Sequence, residues 1–137
     1  MYVIVIFILF VAIWYILRNM YDDKMEKDPT IVRLKAKLVK TFPELANIKL
    51  MRGTESATIN KYRVYLCTDY AGVKYDDNML TYVLIHELAH VLTPEIGHGT
   101  QFFKKFNELL TRAANAGVYS PNMKRPNNYC GIEEKKV

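Results

Sequence analysis

The chain has 137 residues, half of them hydrophobic and 24% charged, with 19 basic and 14 acidic side chains. The first 17 residues carry no charge, and the remainder from Arg18 onward has ordinary globular composition. This excludes a multi-domain protein, a fully disordered chain and a multi-span membrane protein, leaving one apolar leader and one soluble domain of about 120 residues.

The leader, 1–18, predicts a single transmembrane helix. A helix of 17 residues rises about 25 Å, close to the roughly 30 Å hydrocarbon core. Arg18 can snorkel to a headgroup, and Trp14 and Tyr15 suit the interface. A cleaved signal peptide needs a basic start and a small-residue cleavage site, yet no Lys or Arg precedes the run and Ala12 is its only small residue. A buried core helix would carry polar residues. Basic residues flank only the C-terminal side (Arg18, Lys24, Lys27), so the positive-inside rule predicts a single-pass membrane protein with a cytosolic domain. Cys67 and Cys130 fit no disulfide framework, so a reduced pair is the plainer expectation; whether they pair stays open.

Residues 19–28 read as a polar linker, and 29–137 as the domain. Asp28 and Pro29 form an N-cap and first-turn proline. Ile31, Leu34, Leu38 and Phe42 then fall at helical spacing, predicting a helix over 29–42 that Pro43 stops. Alternation predicts strands near 47–52, 57–60 and 62–68, the last two joined by an Asn60-Lys61 turn. Asp76, Asp77 and Asn78 are cap candidates for an apolar helix over 78–92, ended by Thr93-Pro94. A glycine-containing loop leads to a helix over 100–116 with Gly117 as its C-cap. A short apolar patch follows at Tyr129 to Ile132. This order predicts an α+β domain with a small, mostly antiparallel sheet.

Residues 86–90 read His-Glu-Leu-Ala-His. His86 and His90 stand one turn apart on one helix face, so both rings can reach one metal ion. Glu87 is one step round, where its carboxylate can take a proton from a water at the metal without ligating it. A catalytic zinc takes three protein ligands and leaves one position open. His98, beyond the Pro/Gly loop, ranks first as the third ligand. Glu108, on the next helix, ranks second and Glu95, in the loop, third. Glu108 shares a face with Lys104 and Arg112 that reads as solvated, since the buried face is Phe102, Phe106, Leu109 and Ala113.

The stretch HELAHVLTPEIGHGTQF resembles the WLM/SprT-like group of zincin metalloproteases: the HExxH motif, a short loop, then His98, Gly99 and an aromatic residue, Phe102. The resemblance covers about 78–110. It implies a zincin-like fold with an active-site helix, peptide-bond hydrolysis, Zn2+ held by His86, His90 and His98, and Glu87 as general base. It also implies that an upstream strand within 57–68 pairs with extended protein or peptide substrate. Better-known members act on proteins crosslinked to DNA and carry extra segments for which 137 residues leave no room. Short forms with an apolar N-terminal segment look like proteins of some large DNA viruses.

The expected function is a membrane-tethered zinc metallopeptidase. The alternatives are a non-catalytic zinc-stabilised module that binds peptides or partners, a DNA-associated protease of the crosslink-repair type, and a hydrolase of other amides. Residues 29–63 hold eight Lys/Arg against two Glu. That excess could meet anionic lipid headgroups or, less readily, nucleic acid, although a solvated helix face is the plainer reading. Tyr62, Tyr70, Tyr75, Tyr119 and Tyr129 are candidates to stabilise an oxyanion, and the sequence does not choose among them.

Overall fold

A computed structural model of the chain describes residues 1–126 and 128–133. The described residues form an α+β fold with four α-helices and a small three-stranded sheet.

Helix α1 runs from Tyr2 to Glu26 without interruption. Its first two-thirds are apolar and exposed, and it is long and apolar enough to cross a membrane. The expected linker is therefore largely helical. Residues 19–26 contain neither Gly nor Pro to break the helix, and their last turn has something to pack on. Asp22 is fully buried there. Its carboxylate accepts from Arg63 Nη2 at 2.5 Å and from the Tyr65 hydroxyl at 3.1 Å, and pairs with Arg18 at 3.6 Å. Lys49 binds Asp23 at 2.7 Å on the same side.

Helix α2 (Pro29–Leu38) begins where the sequence predicts, with Asp28 accepting from the Thr30 and Ile31 amides. It ends four residues early, in turns that deliver Phe42 to the core ahead of a 3-10 segment at Pro43–Asn47. Strands β1 (Lys49–Arg52), β2 (Ala57–Ile59) and β3 (Arg63–Leu66) make a sheet in the order β1-β3-β2. β2 and β3 form the expected hairpin through Asn60 and Lys61, both at positive φ. β1 pairs parallel to β3, so the main sheet is half parallel; the hairpin inserts β3 beside β1 after a crossing. Further two-residue hairpins, β4–β5 (Asp69–Tyr70, Val73–Lys74) and β6–β7 (Asn128–Tyr129, Ile132–Glu133), were not legible beforehand.

One face of the sheet presents Leu50, Val64 and Leu66 to the core, against α3 (Asp77–Leu92). The other face presents Met51, Arg63 and Tyr65 to the end of α1. Asp76 caps α3 through the Met79 amide. Helix α4 (Thr100–Asn115) covers the far side of α3 with Phe102, Phe106, Leu109 and Ala113, as its spacing predicts. Gly117, at φ +73°, closes it.

Cys67 and Cys130 are joined by a disulfide that ties β6–β7 to the end of β3, which replaces the reduced pair expected from sequence.

Removing the Asp22 carboxylate leaves Arg63 without its buried partner. Asp22→Ala is expected to lower unfolding stability of the detergent-solubilised full chain by about 2–3 kcal/mol in denaturant titration. Asp23→Ala, which removes a pair whose carboxylate is solvent-exposed, is expected to cost clearly less.

Candidate metal centre

α3 is apolar on nearly every side, so it is enclosed by sheet and α4 and opens only along one edge. His86 and His90 lie on that edge. The loop after α3 reverses the chain and returns His98 to them. The three Nε2 atoms form a near-equilateral triangle: 3.3 Å between His86 and His90, and 3.1 Å from His98 to each.

That triangle is a test of fit. Nitrogens bound tetrahedrally to one ion at about 2.0–2.1 Å stand about 3.3 Å apart. Three neutral imidazoles cannot satisfy one another in this way, because each pair needs a proton that the third then opposes. Three nitrogen donors around one point, with solvent on the fourth side, fit a small divalent ion. Burial and then the neighbouring imidazoles push His86 down to about 4. His90 is lowered by burial first and by His98 next. Both shifts favour the neutral imidazole, the form a ligand needs.

Phe102 underlies all three rings. It stacks on His90 with centroids 4.3 Å apart and meets His86 and His98 edge-on at 4.9 and 4.8 Å. The loop that carries His98 is fixed from two sides. Lys61, in the β2–β3 turn, directs its ammonium at the carbonyls of His90 (2.5 Å) and Thr93 (2.8 Å), with that of Glu95 at 3.4 Å. It thus caps the C-terminal end of α3, where cations are favoured. Glu95 accepts from the Phe102 amide at 2.6 Å and caps α4, whose N-cap is a glycine. A Cβ at Gly99 would stand 2.7 Å from that carboxylate, so the glycine makes room for the cap.

Both rival third ligands are thereby accounted for elsewhere. Glu95 is the cap of α4. Glu108 is exposed and pairs with Lys105 and Arg112, the first in place of the expected Lys104.

Glu87 is buried beside the triangle and points to the sheet. Its carboxylate accepts from the Thr58 hydroxyl at 2.6 Å. Burial raises its proton affinity, and the Thr58 hydrogen bond opposes the rise. Thr58 is a residue that sequence reasoning missed. Its place as the inward-facing member of a three-residue strand is the signal that could have found it. The cleft in front, about 580 Å³, is lined by Ser56 to Thr58, Lys61, the three histidines, Glu87 and Ile96 among others.

None of the tyrosine candidates lines the cleft among the described residues. The Tyr129 hydroxyl bonds Ser56 and the Cys67 carbonyl behind β2, and Tyr75 accepts from the Cys130 amide. Among the described residues, every cation of the basic stretch 29–63 except Lys40 has an internal partner, such as Asp77 for Arg33 and Lys37, and Asp28 and Asp69 for Arg52.

No family model and no solved structure matches the chain significantly. It is similar to viral proteins. It is 41% identical over 90 residues to the uncharacterised protein 136R of Invertebrate iridescent virus 6, an alignment covering 63% of this chain and 51% of that protein. It is 41% identical over 88 residues to the uncharacterised protein 042R of Invertebrate iridescent virus 3, covering 63% and 55%. A protein of Acanthamoeba polyphaga mimivirus is 34% identical over 82 residues, covering 56% and 42%. The chain thus spans about half the length of the curated relatives it matches.

His98→Ala is expected to weaken binding of a divalent metal to the purified full chain at least about 100-fold in chelator-competition titration. Glu108→Ala should leave the affinity within about twofold, because its carboxylate meets only exposed cations.

Proposed function

We propose that the protein is a membrane-tethered zinc metallopeptidase with a zincin-like catalytic domain. The observation that carries this reading is the triangle of Nε2 atoms with a buried, non-ligating carboxylate beside it. Three imidazoles with an open fourth side are the donor set of a catalytic zinc. Zinc bound there would supply Lewis acidity, lowering the pKa of a water towards about 7 and polarising a carbonyl. The resemblance of residues 78–110 to WLM/SprT-like proteases supports the same chemistry.

The roles of the chain's own residues follow. Glu87 takes a proton from the attacking water as its oxygen bonds to the scissile carbonyl carbon. It delivers that proton to the amine nitrogen when the C–N bond breaks. Thr58 holds the carboxylate in place through its hydroxyl. Partial desolvation makes Glu87 a better base than an exposed glutamate, which suits proton transfer near neutral pH. β2 is an edge strand along the cleft, so its free backbone groups can pair with an extended peptide. The basic stretch, in which Arg33, Lys37, Lys49, Arg52 and Arg63 all pair with internal carboxylates, lends little support to a nucleic-acid partner.

The helix α1 serves as the membrane anchor in this reading. In this reading the disulfide favours the oxidising side of the membrane, where such bonds persist, while the three basic flanking residues, interspersed with four acids, favour the cytosolic side. We propose a domain on the oxidising side, against the cytosolic side expected from the flanking charges. A glycosylation acceptor tag after Val137 is expected to be modified in microsomes; an unmodified tag restores the cytosolic orientation.

Glu87→Gln keeps the size and removes the base. It is expected to lower peptide hydrolysis by about 10²–10⁴-fold with metal stoichiometry unchanged, measured on the same purified samples. Undiminished hydrolysis would exclude this mechanism. Metal binding with no hydrolysis in either protein would leave a metal-stabilised binding module.

A further inference from the structure

The anchor is not a flexible tether. α1 contains no Gly or Pro between Tyr2 and Glu26, so it lacks the usual causes of a bend. Contact with the domain begins one residue past the uncharged run. Arg18 donates to the Tyr65 hydroxyl at 3.0 Å, and its guanidinium lies 5.9 Å over the ring centroid. One turn on, Asp22 is sealed between Arg63 and Tyr65, and Lys49 grips Asp23 beyond it. The end of the apolar helix and the sheet thus form one body.

The path from that contact to the cleft is short. Tyr65 on β3 is paired in register with Ala57 on β2, and Ala57 and Thr58 line the cleft. Neighbouring strands are about 5 Å apart. Adding the reach of the Arg18 side chain, the β2 edge lies within roughly 20 Å of the point where α1 leaves the apolar phase. A ten-residue flexible linker would instead wander through an r.m.s. distance of about 17 Å with no fixed orientation.

We infer that the docked α1 holds the cleft at a fixed height beside the bilayer, so that its substrates are membrane-proximal polypeptide stretches, as in a second membrane-anchored protein. This rests on the peptidase reading of the same cleft.

The test uses the full chain in phosphatidylcholine vesicles, beside a variant with ten Gly/Ser residues inserted between Arg18 and Asn19. The probe is a quenched fluorescent peptide that the detergent-solubilised chain cleaves, coupled to lipid headgroups through spacers of about 4 or about 40 residues. The native chain is expected to cleave the short-spacer probe roughly tenfold faster, and the insertion to shrink that preference below about threefold. Equal rates on both spacers, or a preference the insertion leaves intact, overturn the inference. A second arm is independent of catalysis. A dye on Ile96→Cys, at the rim of the cleft, transfers energy to acceptor-labelled headgroups, and transfer should fall on insertion. Unchanged transfer overturns the fixed height. Absence of cleavage in detergent would count against the peptidase reading, and the energy-transfer arm would still decide the geometry.

Discussion

Holding three imidazole nitrogens within 3.3 Å of one another is the constraint around which the domain is organised. Such a cluster opposes its own assembly, since every added proton repels the others and none of the rings can be satisfied by its neighbours alone. Two of the rings cost little to place: helix geometry brings residues four apart together once α3 is buried. The third belongs to a loop, and loops hold a position only when other elements fix them. Here Lys61 fastens the start of the loop to the β2–β3 turn, Glu95 fastens its middle to α4, and Phe102 gives all three rings a common floor.

The same dependence explains why some of the site was legible in the sequence and some was not. His86, Glu87 and His90 follow from local periodicity, and the caps Asp28 and Asp76 from the backbone groups a helix start leaves unpaired. His98 was reachable because a zinc site needs a third ligand. Thr58 and Lys61 were harder to find, because their partners are 29 or more residues away and only the inward position of Thr58 on its short strand sets either of them apart from surface residues. Lys61 even reads as an ordinary turn cation, although its positive φ and its carbonyl partners make it a cap for a distant helix.

Non-local pairing also accounts for the misread fold elements. The parallel contact of β1 with β3 depends on the hairpin folding back past Gly53, which alternation along either strand does not encode. Residues 19–26 looked like a linker because they are polar, but polarity reports exposure only when no charged partner is available. Arg63 and Tyr65 supply one for Asp22, and a helix that would otherwise fray continues onto the sheet. The cysteines form no spaced motif, and 63 residues separate them. Their bond becomes apparent only when β6–β7 lies against the end of β3.

The sheet therefore has two unequal faces with different duties. Its inner face supports α3 and, through Thr58, the carboxylate beside the histidines. Its outer face receives the end of α1 on Met51, Arg63 and Tyr65. Because side chains alternate along a strand, Val64 and Tyr65 serve the two faces from adjacent positions. A disturbance at the anchor contact thus reaches the cleft through one strand and one hydrogen-bonded register step, without a mobile loop between them. A four-residue strand is enough for this only because it is central, with β1 and β2 fixing it on both sides. The shortness of the sheet and the closeness of anchor to cleft are in this sense one property of the fold.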